Sequence, residues 1–272
     1  MSRQPSILRR SGLLRGDTES RARPTAERIG GALARAGWCP VLSPPVRALF
    51  SSNERGTASR SQLVTLLSAD RALAQIVMQR LGEQAATPGR APRSLDAAVR
   101  LTRFADLCVA ALDGALSQGL LSPCLLRHSR RVGDAAAFLA TEIGLPEHHA
   151  RAAGLLHDVG RVGLPLAAAQ VEGLVLTRAL VAQHHATAAA AMVRAWGLPD
   201  ALQDAVGPRP TRLGLLVQVA EALVLDSGFG HADDRVPRGV TWDLPSHVSG
   251  LASRAGLDPA RLRAWRDRLR HV

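Results

Sequence analysis

Residues 122–160 read SPCLLRHSRRVGDAAAFLATEIGLPEHHARAAGLLHDVG, and the fold turns on how this stretch is parsed. It opens on Ser122-Pro123, a side chain able to cap a helix followed by proline at the first helical position, where a missing N–H is not needed. Gly144 closes that helix, because glycine accepts the left-handed conformation that commonly ends one. Leu145-Pro146 then opens a second helix, predicted to end at Gly160. Across both, the apolar residues recur at helical spacing and never alternate as a strand requires.

The same signals continue outward. Downstream, a helical stretch is expected from about Leu174 to Trp196, stopped by Gly197-Leu198-Pro199, with another from Leu213 to Leu225. Asp258-Pro259 starts a short Arg-rich terminal helix. Upstream, Ser94 caps a helix whose face carries Leu95, Val99, Phe104, Leu107, Cys108, Ala111, Leu112 and Leu116. Gly82 to Pro92 is a polar loop, and Ser61 precedes one or two helices running through Leu63, Leu67, Leu73, Val77 and Leu81. Clustered prolines from Trp38 to Pro45 give an extended start to the folded sequence. The expected organisation is a basic, flexible segment at 1–37, an N-terminal helical subdomain at 38–120, a second helical subdomain at 121–230 and a C-terminal extension at 231–272.

Composition agrees with an all-α reading. The 272 residues are 46% hydrophobic and 21% charged, which is globular composition with ample chain for a core. All 34 basic residues are arginine, tyrosine is absent, and an Ala/Leu/Arg alphabet with 3% aromatics argues against sandwiches and barrels. The formal charge of +11 invites a nucleic-acid reading. Arginine, however, is spread along the whole chain, with only the two ends denser and no recognised base-reading motif beside them. Cys39, Cys108 and Cys124 are too sparse for a disulfide framework and form no Cys-x-x-Cys pair. No apolar run approaches the roughly 20 residues of a membrane span, and residues 1–16 offer no continuous signal-peptide core. A cytoplasmic protein is expected.

Chemistry concentrates in His128, the adjacent pair His157-Asp158, His185 and Glu221. Neighbouring helical residues point about 100° apart, so His157 and Asp158 reach one ion only near a helix end. Imidazole with carboxylate suits a single divalent ion such as Zn, Mn, Fe or Mg. A lone His-Asp dipeptide occurs by chance in many chains, but a histidine 29 residues upstream, across one helix–turn–helix, sharpens the signal. The competing reading is a metal-free hydrogen-bonded cluster in which Asp158 locks neighbouring helices together. Arg131, close to His128, is a candidate grip for a phosphate.

These residues resemble an HD-type domain, whose pattern is one His, then His-Asp, then a distant Asp. The positions fall on His128, on His157 with Asp158, and on Glu221, where glutamate replaces the pattern's aspartate. A wider span is similar to the HDOD signalling domain. His185 followed by Trp196-Gly197-Leu198-Pro199 matches that family's spacing in the second half. Pro40-Val41-Leu42, Asp70-Arg71-Ala72-Leu73 and Ser94 to Val99 match it more loosely in the first. The likeness covers about residues 38–228. Where relatives often carry a His-His pair, this chain has Val206 to Pro210, and the Gly-Tyr-Pro signature of the HD-GYP phosphodiesterases is missing. A two-metal centre of that kind is therefore excluded.

The resemblance implies an all-α, HDOD-type helical bundle in a bacterial cytoplasmic signal-transduction module. It would act through contacts with a protein partner and would be non-catalytic, its metal ligands being His128, His157, Asp158 and Glu221. The alternative is a single-metal phosphohydrolase acting on a nucleotide or phosphate ester, and the third is a basic nucleic-acid-associated regulator.

Overall fold

A computed structural model describes residues 26–35, 37–56, 59–83, 92–209, 211–227 and 246–269. It is all-helical: no strand occurs among the described residues. The first helix, α1 at 26–34, lies within the segment expected to be a basic tail; its Ile29 is buried against Leu164 and Ala188. Residues 1–25 and 36 of that expected tail lie outside the described residues, as do residues 231–245 and 270–272 of the C-terminal extension.

The N-terminal half holds α2 (Pro44–Arg55), α3 (Arg60–Ser68), α4 (Arg71–Glu83), α5 (Leu95–Leu101) and α6 (Phe104–Ser117). Pro44-Pro45, read above as extended chain, instead occupies the start of α2, as the fixed φ of proline allows. Ser59 and Gln62 form a capping box on α3, and Asp70 Oδ1 accepts from Leu73 N to start α4 at once. The single helix expected after Ser94 is two. Thr102 is extended, and Arg103 reaches Asp106 at 2.7 Å across the first turn of α6.

The C-terminal half comprises α7 (Pro123–Glu142), α8 (Glu147–Leu156), α9 (Gly160–Ala168), α10 (Arg178–Ala195), α11 (Asp200–Val206) and α12 (Arg212–Asp226). Ser122 caps α7 at Leu125 N with Pro123 behind it, and Gly144 closes that end at φ +67°. The short α9 was not legible because Pro165 interrupts its pattern. Helices α13 (Ser246–Ala255) and α14 (Leu262–Leu269), joined by a 3₁₀ turn at Pro259–Arg261, fold back onto α12.

The two halves share one core, a continuous cluster of buried apolar residues from Ala32 to Trp265, and α6 packs on both α7 and α8. Trp196, buried at the end of α10, donates from Nε1 to Pro40 O at 2.7 Å, tying residues 156 apart in sequence. Two glycine contacts set the spacing of the second half. A Cβ on Gly154 of α8 would lie 2.5 Å from Gly133 Cα of α7, and one on Gly160 would lie 1.9 Å from His185 O of α10. Only hydrogen fits there, so α7 meets α8, and α9 meets α10, at backbone distance. Those crossings place His128, His157-Asp158 and His185 around one point.

Candidate metal centre

Each side chain of the cluster comes from a different part of the second half. His128 projects from the second turn of α7, His157 is the residue that ends α8, Asp158 follows it, and Glu221 comes from the middle of α12. One ligand atom from each of the four lies within 4.8 Å of the others. His157 Nε2 is 3.3 Å from Asp158 Oδ2 and 3.8 Å from Glu221 Oε1, while His128 Nε2 is 3.9 Å from Asp158 Oδ2. The two imidazole rings face each other at 5.3 Å, tilted by 52°. Placing Asp158 just past the helix end is what lets it share a point with His157, as the 100° step required.

Backbone carbonyls orient two of the histidines. His157 Nδ1 lies 2.7 Å from Gly154 O, and His185 Nδ1 lies 2.8 Å from Ala182 O. A carbonyl only accepts, so both Nδ1 atoms carry a proton, and the Nε2 atoms are the ring nitrogens left to face Asp158. His157 Nε2 is buried between two carboxylates without a well-directed hydrogen bond, a setting in which a divalent ion can take the place of its proton. Two imidazoles and two carboxylates, converging with such a nitrogen among them, fit a divalent metal ion.

Asp158 is the hub. It is fully buried, and its oxygens divide the work: Oδ2 faces the two imidazoles, while Oδ1 accepts from Arg161 Nε at 2.7 Å and lies 3.8 Å from His185 Nε2. Burial disfavours charge on His157, yet the carboxylates of Asp158 and Glu221 outweigh it and lift the imidazole to about 9. Glu221 reaches the cluster despite its extra methylene, so the departure from aspartate leaves the constellation intact.

Of the remaining candidates, His185 stands beside the four ligands, on the Arg161 side of Asp158. Arg131 is exposed on α7, and Arg130 turns away to pair with Asp113 at 2.7 Å. The guanidinium that touches the cluster is Arg161, which sequence reading passed over. The signal was present, since residues three apart on a helical path meet and Arg161 stands three after Asp158. Two of the three cysteines are poorly placed for nucleophilic chemistry. Burial pushes the Cys39 thiol up to about 11 and the Cys108 thiol to about 12, values that suppress the nucleophilic thiolate.

Comparison with known proteins follows the same lines. The HD domain family model matches residues 125–223, the span that contains all four candidate ligands. Comparison with curated proteins finds no match. Among solved structures, an HDOD domain protein from Geobacter sulfurreducens shares 20% identity at a TM-score of 0.66, over 94% of this chain and 97% of its own. A candidate signal transduction protein from Marinobacter aquaeolei VT8 shares 18% identity at 0.61, over 91% of this chain and 63% of its own. A candidate metal-dependent phosphohydrolase from Shewanella amazonensis SB2B shares 16% at 0.63, over 93% and 99%. The fold is thus similar to that of an HDOD domain protein, and the HD match lies in its second half.

Proposed function

We propose that this protein is a non-catalytic regulatory module of signal transduction, acting through contacts with a protein partner, with one divalent ion held by His128, His157, Asp158 and Glu221. The observation that carries this reading is the burial of the cluster. Asp158 is 0% exposed, His128 and His157 are 1% and 7%, and only Glu221, at 25%, borders solvent. A phosphate ester needs an open face to meet both an activated water and a positively charged grip, and such enclosure leaves little of one.

When bound, the ion supplies a cross-link between α7, the end of α8 and α12, and polarises whatever it touches. The chain's own residues do the rest. Gly154 O and Ala182 O fix the His157 and His185 rings, and Arg161 holds Asp158 in the orientation that presents Oδ2 to both imidazoles. Imidazole donors favour Zn, Fe or Mn over Mg, which prefers an all-oxygen shell. Order in three helices would then set the surface offered to the partner.

A second reading has one observation in its favour. Arg161 and His185, with side chains 29% and 23% exposed, are the less enclosed neighbours of Asp158, where a guanidinium could hold a phosphate ester. Turnover separates the two. Protein loaded with Zn, Fe or Mn and offered nucleotides and simple phosphate esters is expected to release no phosphate above a metal-only control. Release that vanishes in Asp158→Ala would establish the single-metal phosphohydrolase instead.

A further inference from the structure

Lined by none of the metal-cluster residues, a cavity of about 160 Å³ opens between the two halves of the molecule. Its walls come from α4 and α6 of the first half and α7 and α8 of the second, and its polar lining is Arg80, Asp113, Arg130, Asp134 and Arg151. Asp113 is largely buried and takes two guanidiniums, Arg130 Nε at 2.7 Å and Arg80 Nε at 3.0 Å. Asp134, on the rim, faces Arg151 Nε at 3.2 Å.

Three guanidiniums and two carboxylates line the cavity, so cations outnumber anions on its wall. Donors exceed acceptors more strongly still, since each guanidinium carries about five N–H groups and each carboxylate offers about four acceptor sites. The excess is visible in place. Arg130 Nη2 is buried with no hydrogen-bond partner, and Arg151 Nε, though near Asp134, lies off the direction of a hydrogen bond. A buried donor left unmade is costly, and a tetrahedral oxyanion supplies the acceptors that Arg130 Nη2 and Arg151 Nε lack and a charge that suits a wall richer in cations. Its size sets the class of ligand. Pockets for drug-sized molecules run from about 300 Å³ upward. This one takes the phosphoryl group alone.

We propose that this cavity is a binding site for a phosphate-type oxyanion, held by Arg80, Arg130 and Arg151, that bridges the two halves of the protein. The site is separate from the metal cluster but shares its helices: Arg130 follows His128 by two residues on α7, and Arg151 precedes His157 by six on α8. An anion that draws α4 and α6 toward α7 and α8 therefore acts on the elements that carry the ligands.

The test is calorimetric and thermal-shift titration of the full chain with inorganic phosphate, in buffer kept at constant ionic strength with chloride and freed of metal. Saturable binding and stabilisation by phosphate, with none from chloride, is expected. Arg151→Gln should weaken binding at least tenfold. Arg161→Gln, which alters the cluster instead, should leave it unchanged. Asp134→Asn removes the carboxylate that competes for Arg151 and should tighten binding several-fold; this gain keeps the test decisive if Arg151→Gln folds poorly. Adenosine monophosphate run in parallel distinguishes a free phosphate from a phosphoryl group on a nucleotide, the tighter of the two naming the source. Absence of saturable binding, binding unaffected by both Arg151→Gln and Asp134→Asn, or loss on Arg161→Gln would overturn the assignment.

Discussion

His157 is the residue on which the charge state of the cluster depends. Without metal, its imidazole sits between two carboxylates that hold it protonated well above its ordinary value near 6.5, to about 9. A histidine whose folded pKa is raised lends stability that is fully present below the unfolded value and fades as pH climbs through the folded one. Metal-stripped protein should therefore lose stability between about pH 6.5 and 9, a window that urea melts across that range would reveal. Replacing His157 by Gln should flatten this part of the profile. The residues of the cluster were legible in sequence because each is a chemical type that a divalent ion selects. Arg161 was passed over, since among 34 arginines its place three residues after Asp158 stands out only once Asp158 is known to be the hub.

Helix ends were readable wherever a cap and a stop coincided. Ser122 with Pro123, Gly144, and Trp196 ahead of Gly197-Leu198-Pro199 all fell where the residues placed them. Boundaries with only one weak signal were not: the break between α5 and α6 is made by an extended Thr102 and an Arg103–Asp106 pair, and α9 runs through a proline. Glycine at helix crossings was equally silent in sequence, because its role depends on a neighbour far along the chain. Gly160→Ala would drive a methyl into the backbone of α10 and should destabilise by about 3 kcal/mol while disturbing His185. Gly30→Ala, in α1 with open space around it, should be neutral or stabilising by about 0.5 kcal/mol. Urea denaturation of the pair checks both; equal costs would contradict the close-packed crossing of α9 on α10.

At the scale of the whole molecule, the two halves behave as one body because their cores merge. Trp196 is the clearest link, an indole buried at the end of α10 whose N–H reaches Pro40 O in the other half. Trp196→Phe keeps most of the apolar contact but leaves that carbonyl without its donor, and should lower stability by about 1 kcal/mol with a single cooperative melt. Two separate transitions would show instead that the halves unfold independently. The family resemblance read from motifs foresaw this architecture, and the helices match those of an HDOD domain protein at 20% identity. What sequence did not convey was the surface between the halves, because the arginines lining it stand far apart along the chain. The central claim remains that four side chains from three helices gather one divalent ion. Elemental mass spectrometry of untagged protein purified without chelators, wild type beside Asp158→Ala, tests it most directly. The account predicts a single Zn, Fe or Mn per chain in the wild type and none in the variant. No metal in either protein, with the variant still folded, would contradict it and leave the cluster as a purely structural hydrogen-bonded lock.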